Sequence, residues 1–327
     1  MTATVAKAEL HCHIEGAATP ALVVEQARRY DEDVSAIVDG DRFVWNDFTQ
    51  FLAAYDKASS LFRTAGDYAL LCETYLRSLA GCGALYSEIF VSPDHARAAG
   101  LAPQAYVEGL AEGIETARTA TGIEARMIVV GIRHFGPEAV ADAARFAASL
   151  RHPLVTGFGM AGEERFGAVP EYLEAFAIAR EAGLGITVHA GELAGADSVR
   201  AVLDHIRPPR IGHGVRAIED GDLVKRLADE GTVLETCPGS NVALGIYSGF
   251  ASHPLPRLMK AGLRVTLNSD DPPYFATTLE REYEEAEKAM GLDEEALRAI
   301  TTTAIEAAFV DETTRAGLLE QVRGPGR

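Results

Sequence analysis

The feature that most constrains this chain is an alternation that repeats eight times. Short apolar runs, rich in Val, Ile and Leu, take turns with longer stretches of helical spacing. The runs are Lys7–Cys12, Ala84–Val91, Ile123–Gly131, Leu154–Phe158, Leu184–His189, Arg210–Gly212, Thr232–Glu235 and Leu263–Asn268. Runs of this length bounded by turn residues read as buried strands. The stretches between them read as helices, among them Pro20–Tyr30, Asp67–Ala80, Pro103–Ala120, Pro137–Leu150, Pro170–Ala182, Asp197–Ile206, Glu219–Glu230 and His253–Ala261. Several open on Pro, which suits a first turn, and Gly183, Gly231 and Gly262 stand where a left-handed C-cap is required. Eight strand–helix units predict an α/β chain folded as a (β/α)8 barrel, the TIM barrel. Neither a GxGxxG turn nor a P-loop follows the first strand, which argues against an open nucleotide-binding sheet. Beyond the last strand, Thr277–Met290, Asp293–Phe309 and Asp311–Val322 predict extra C-terminal helices, and 323–327 a frayed tail. With no linker or low-complexity tract, residues 1–327 read as a single domain.

Charge and cysteine content narrow the partners. The net charge of −18 argues against a nucleic-acid backbone or an anionic membrane surface. Four scattered cysteines, Cys12, Cys72, Cys82 and Cys237, form no CxxC pair and fit reduced thiols. The first residues carry no long apolar core, and no stretch approaches the ~20 apolar residues of a membrane span. A cytoplasmic protein acting on a small molecule is the expectation.

The chemistry-bearing residues fall at strand ends. His11 and His13 close the first strand and, two apart, project to the same side. His189 closes the fifth and His213 the sixth, and Ser269-Asp270-Asp271-Pro272 follows the eighth. Any one of these motifs reads more simply as a core histidine or a turn. Barrel enzymes, however, build their active sites from the C-terminal ends of several strands, which brings all four together. Three histidines and an aspartate make a first shell for zinc, with a position left for water. Glu192, three residues past His189, is placed to move a proton. His213, between Gly212 and Gly214, is placed to orient the water, the glycines letting backbone and substrate approach. The stripe Phe48, Phe51, Leu52 and Tyr55 reads as core and as a possible cover over the pocket. Arg133 and His134, after the third strand, read as polar residues closing a loop.

Four motifs, in order, carry a resemblance: 7–17 (KAELHCHIEGA), His189-Ala190-Gly191-Glu192, Ile211-Gly212-His213-Gly214 and Ser269-Asp270-Asp271-Pro272. Together they resemble the adenosine/adenine deaminase family, over nearly the whole chain from about Lys7 to Tyr274. The resemblance implies a metal-dependent barrel hydrolase that converts an amino-purine to the oxo-purine and ammonia. It implies one zinc per chain on His11, His13, His189 and Asp270. Glu192 would protonate the ring nitrogen beside the attacked carbon, and His213 and Asp271 would hold the attacking water. Asp271 would also contact the imidazole ring of the purine, and Gly162 would offer a backbone donor to it. Glu15 stands where adenosine deaminases carry a sugar-contacting Asp, a departure that points toward free adenine. Against it, the glycines at 162 and 212 resemble the adenosine enzymes, and the aromatic stripe is placed to cover a nucleoside. The purine nucleoside adenosine is therefore the expected substrate, with the free base adenine or another 6-aminopurine as the alternative.

Two other classes fit less well. Two-metal amidohydrolases bridge their ions with a lysine ending the fourth strand. Here that strand reads Thr156-Gly157-Phe158-Gly159, and the five lysines lie elsewhere. Cytidine-type zinc deaminases need a PCxxC signature, and Cys237-Pro238 has the wrong order. A non-catalytic binding barrel would be expected to have lost Glu192 or a metal ligand, and none is lost.

Overall fold

The structure, a computed structural model, describes residues 5–324. The end of the predicted tail, 325–327, and the first four residues lie outside the described residues. Eight parallel strands form one sheet in sequence order: β1 (Lys7–His13), β2 (Ala84–Val91), β3 (Glu124–Ile132), β4 (Val155–Ala161), β5 (Gly185–Ala190), β6 (Arg210–His213), β7 (Val233–Thr236) and β8 (Arg264–Leu267). Helices cover the outside, and Leu279–Lys288, Glu294–Ala307 and Glu312–Arg323 follow β8. This is the expected (β/α)8 barrel.

The ring closes thinly. β1 meets the segment after β8 through a single parallel bridge, Cys12 to Asp270. The His13 N–H donates to Asp270 O at 3.0 Å, and the Asp270 N–H donates to His11 O at 3.1 Å. The Asn268 side chain helps by accepting from the Leu10 N–H at 2.8 Å and donating to Thr236 O at 3.0 Å.

Boundaries differ from expectation mainly in β4, which runs to Ala161 rather than stopping at Phe158. Gly157 and Gly159 look like strand breakers, yet packing calls for at least one of them. A Cβ on Gly157 would lie 2.5 Å from Ile128 Cδ1 and 2.9 Å from the Phe309 ring. Phe309 plugs the N-terminal end of the barrel, and Gly185 makes room for it from the next strand. The extended β4 still carries no lysine. A two-stranded hairpin (Val38–Asp39 with Arg42–Phe43) and the short helices Pro93–Ala98 and Pro238–Ala243 were not expected.

The barrel interior is not purely apolar. Arg210 is fully buried, with Nη2 2.6 Å from Glu88 Oε2 and Nε 2.7 Å from Glu235 Oε1. Its guanidinium lies 3.7 Å over the Phe309 ring. A buried arginine between two carboxylates is tolerated because each charge has its partner. Above this layer, at the C-terminal ends of the strands, the polar residues gather. Among the described residues no helix is long and apolar enough to cross a membrane.

Candidate metal and active site

The strand ends bring His11, His13, His189 and Asp270 together, with one donor atom from each within 4.8 Å of the others. His13 Nε2 and His189 Nε2 stand 3.2 Å apart. Asp270 Oδ1 lies 3.4 Å from His11 Nε2 and 3.5 Å from His13 Nε2. His11 Nε2 is buried without a hydrogen-bond partner. Converging ring nitrogens beside a carboxylate, one of them buried and unpaired, are the donor set a divalent cation satisfies. Burial pushes His13 down to about 3 and His189 well below its ordinary range, which keeps both as the neutral imidazoles a metal requires. Burial also opposes charge on His11, but Asp270 and Glu235 on its two nitrogens outweigh it and push it up to about 9. A cation and a proton therefore compete for His11 Nε2.

Support for these donors comes from residues outside the donor set. Glu235 Oε2 lies 2.9 Å from His11 Nδ1, and Thr187 Oγ1 and Arg210 hold the same carboxylate. With Nδ1 donating to Glu235, the lone pair of His11 sits on Nε2, facing the other donors. Glu9 accepts from the Ser269 N–H at 2.9 Å and its hydroxyl at 2.6 Å, and from Tyr75, pinning the turn that carries Asp270. That turn is strained at Asp270, with φ 64, and so is the end of β6 at His213, with φ 58. A charged residue inside an apolar strand, as Glu235 and Glu88 are, is the sequence signal that could have found the buried network.

Glu192 and His213 face each other beside this cluster, with Glu192 Oε1 3.6 Å from His213 Nε2. Glu164 sets the loop, accepting from the N–H groups of Gly191, Glu192 (3.0 Å) and Ala194 (2.8 Å). Burial, reinforced by the Asp270 and Glu164 carboxylates, pushes the Glu192 carboxyl well above its ordinary range. Both effects favour the protonated form of the carboxyl. Asp271, also buried, is raised by burial and by Asp270, Glu192 and Glu15. Gly16 packs directly on it, since a Cβ there would fall 1.7 Å from Asp271 Oδ1.

One glycine reading changes. Gly212 was expected to let substrate approach, but a Cβ there would meet His11 Cε1 at 2.8 Å and His189 Nδ1 at 3.1 Å. Its smallness serves the imidazole rings. Gly162, at φ +98, follows β4 against His134, whose Nδ1 accepts from the Glu163 N–H at 3.2 Å.

His13 and His189 open into a cavity of about 760 Å³ including its mouth. Asp270, Asp271, Glu192, His213 and Gly162 line it, and Phe48, Phe51, Leu52, Tyr55 and Phe275 form an aromatic and aliphatic wall. The stripe is thus both core and cover, as Phe51 and Tyr55 are buried while facing the cavity. Glu15 is not among the lining groups. It is 1% exposed and its Oε1 accepts from the Tyr106 hydroxyl at 2.5 Å. Arg133 closes a loop as expected, donating to the carbonyls of Phe166 (2.6 Å) and Gly167 (3.0 Å). His134 instead lines the cavity.

A parallel barrel with a histidine–aspartate centre and a buried acid at its C-terminal end defines a class, and the chain belongs to the adenosine deaminase family, whose model matches residues 6–325. Within that family it is 67% identical over 317 residues to an adenine deaminase of Chelativorans sp. (strain BNC1), covering 97% of this chain and 98% of that one. It is 64% identical over 319 residues to an adenine deaminase of Rhizobium meliloti (strain 1021), covering 98% of each. The crystal structure of adenine deaminase from Arthrobacter aurescens superposes with a TM-score of 0.91 at 28% identity, covering 98% of both chains.

Proposed function

We propose that this protein deaminates free adenine to hypoxanthine and ammonia with one zinc ion per chain. The observation that carries the substrate is the 67% identity, end to end, with an adenine deaminase. It favours adenine over the expected adenosine. Gly212 is small to admit two histidine rings, and Gly162 serves a left-handed turn beside His134, so neither glycine argues for a nucleoside. Glu15 is buried against Tyr106 and does not line the cavity.

In this reading His11, His13, His189 and Asp270 hold the metal. Zinc so held would supply Lewis acidity and lower the pKa of a water. Glu192, whose carboxyl burial biases toward its acid form, delivers a proton to the purine ring nitrogen beside the attacked carbon. His213 and Asp271 hold the attacking water, and Asp271 also meets the imidazole ring of the base. The Gly162 N–H fixes the purine from the opposite side. The exocyclic amino group leaves as ammonia, and water oxygen takes its place.

Side-by-side kcat/KM values test the substrate. Adenine should exceed adenosine by at least tenfold, about 1.4 kcal/mol of transition-state binding, and a preference for adenosine sinks the reading. Elemental analysis tests the metal. One zinc per chain is expected, because four donors converge on one point and no bridging lysine ends β4. Two ions per chain would contradict it.

A further inference from the structure

We propose that Asn241 and His253 are positioning residues that fix His213 as the tautomer carrying its proton on Nε2, so that it enters the reaction as a hydrogen-bond donor and not as a base. The inference rests on the placement of His213 at the attacking water given above. Nothing in the four sequence motifs includes either residue.

The argument starts from a group that cannot turn over. The backbone N–H of Leu255 donates to His253 Nδ1 at 3.3 Å. His253 is 3% exposed, and burial pushes it down to about 3, so it carries one proton. With Nδ1 accepting, that proton is on Nε2. His253 Nε2 lies 3.2 Å from Asn241 Oδ1, which therefore accepts. An amide whose oxygen is fixed has its nitrogen fixed as well. Asn241 Nδ2 points at His213 Nδ1 across 3.4 Å, and an amide nitrogen only donates. His213 Nδ1 must then hold a lone pair, which leaves the proton on Nε2. That atom faces Glu192 Oε1 at 3.6 Å and Asp270 Oδ2 at 3.9 Å.

Each link is buried. Asn241 has no measurable exposure and His213 is 1% exposed, so no solvent competes for the bonds. The chain of three side chains lies on the Pro238–Ala243 helix, the end of β6 and the turn before the Leu255–Lys260 helix. One backbone amide thus dictates the polarity of a group in the active site. A donor at Nε2 steadies negative charge gathering on the attacking oxygen, whereas a base there would strip its proton.

The test uses zinc-loaded enzyme labelled with 15N in its histidine rings. The parent should show His213 with a bare Nδ1 and a protonated Nε2, two nitrogens that resonate far apart. Asn241→Asp replaces the donor by an acceptor of the same shape, so the pattern at His213 should invert. Turnover should fall about 10²-fold or more with KM little changed, tautomer reversal in a serine-protease triad costing ~10⁴. His253→Leu, which frees the amide to turn over, should give a mixed pattern, and His253→Gln, whose amide can still donate, should restore the parent's. A parent His213 protonated on Nδ1, or an Asn241→Asp enzyme with the parent's pattern, overturns the proposal. Inversion without loss of turnover supports the positioning device and instead removes His213 from the chemistry.

Discussion

Glu192→Gln is expected to fold, to keep its metal and to turn over ~10²–10⁴-fold more slowly than the parent, the usual worth of a positioned acid. The amide preserves the size of the side chain, and its backbone N–H remains tied to Glu164. What the amide lacks is a proton to give. The parent also carries a pH signature. Because burial and the Asp270 and Glu164 carboxylates raise the Glu192 carboxyl, its acid form persists to higher pH than that of an ordinary glutamate. Turnover should therefore fall on the alkaline side, as pH passes that raised value and the acid form disappears. The variant has nothing to titrate there, and its residual rate should lack that limb. Steady-state rates across pH for both proteins decide the matter, and a variant at the parent's rate means that Glu192 is not the acid.

Arg210→Met is expected to cost about 3–5 kcal/mol of stability, the range for breaking a buried ion pair from one side. The loss exceeds a cavity effect because two carboxylates, Glu88 and Glu235, are left inside the barrel without their cation. The pH dependence follows from Glu235. Burial raises its carboxyl, but Arg210 and then His11 outweigh this and hold it below the ordinary range. A depressed carboxyl stabilises the fold above its unfolded pKa and loses that contribution as pH falls through the folded value. The penalty of the substitution should thus be largest at neutral pH and shrink on acidification. Urea unfolding of parent and variant at pH 7 and at pH values below ~4.3, the ordinary Glu value, measures it, and a difference under ~1 kcal/mol at pH 7 contradicts the buried-network account. Metal affinity should weaken too, since Glu235 orients His11.

The barrel was legible because its period is local: each strand and helix announces itself within a dozen residues. The donors were legible because they sit on strand ends, and the barrel supplies the rule that such ends converge. What escaped was contact between distant segments. Glu235 meets His11 across 224 residues, and Glu9 meets Ser269 across 260. No spacing rule reports such pairs, though a lone charge in an apolar strand hints that one exists. The glycines misled for a related reason. Gly157, Gly185 and Gly212 are small because something from elsewhere in the chain occupies the space, a ring of Phe309, His11 or His189. Read locally, Gly159 looked like the end of a strand and Gly212 like room for substrate. The Pro238–Ala243 helix, which brings Asn241 to His213, was too short to register.

The thin closure between β1 and the segment after β8 has a thermodynamic consequence. His11 and His13 belong to one lip of that seam, Asp270 to the other, and a single bridge joins them. A cation held by all three would work as a clasp on the most sparsely bonded join of the ring. Its binding free energy would then also be free energy of closure, on the order of 4 kcal/mol for free metal a thousandfold above its dissociation constant. None of it would be available to the nascent chain until Asp270 has been synthesised and docked beside the first strand. Capture of the ion and completion of the barrel would be one event.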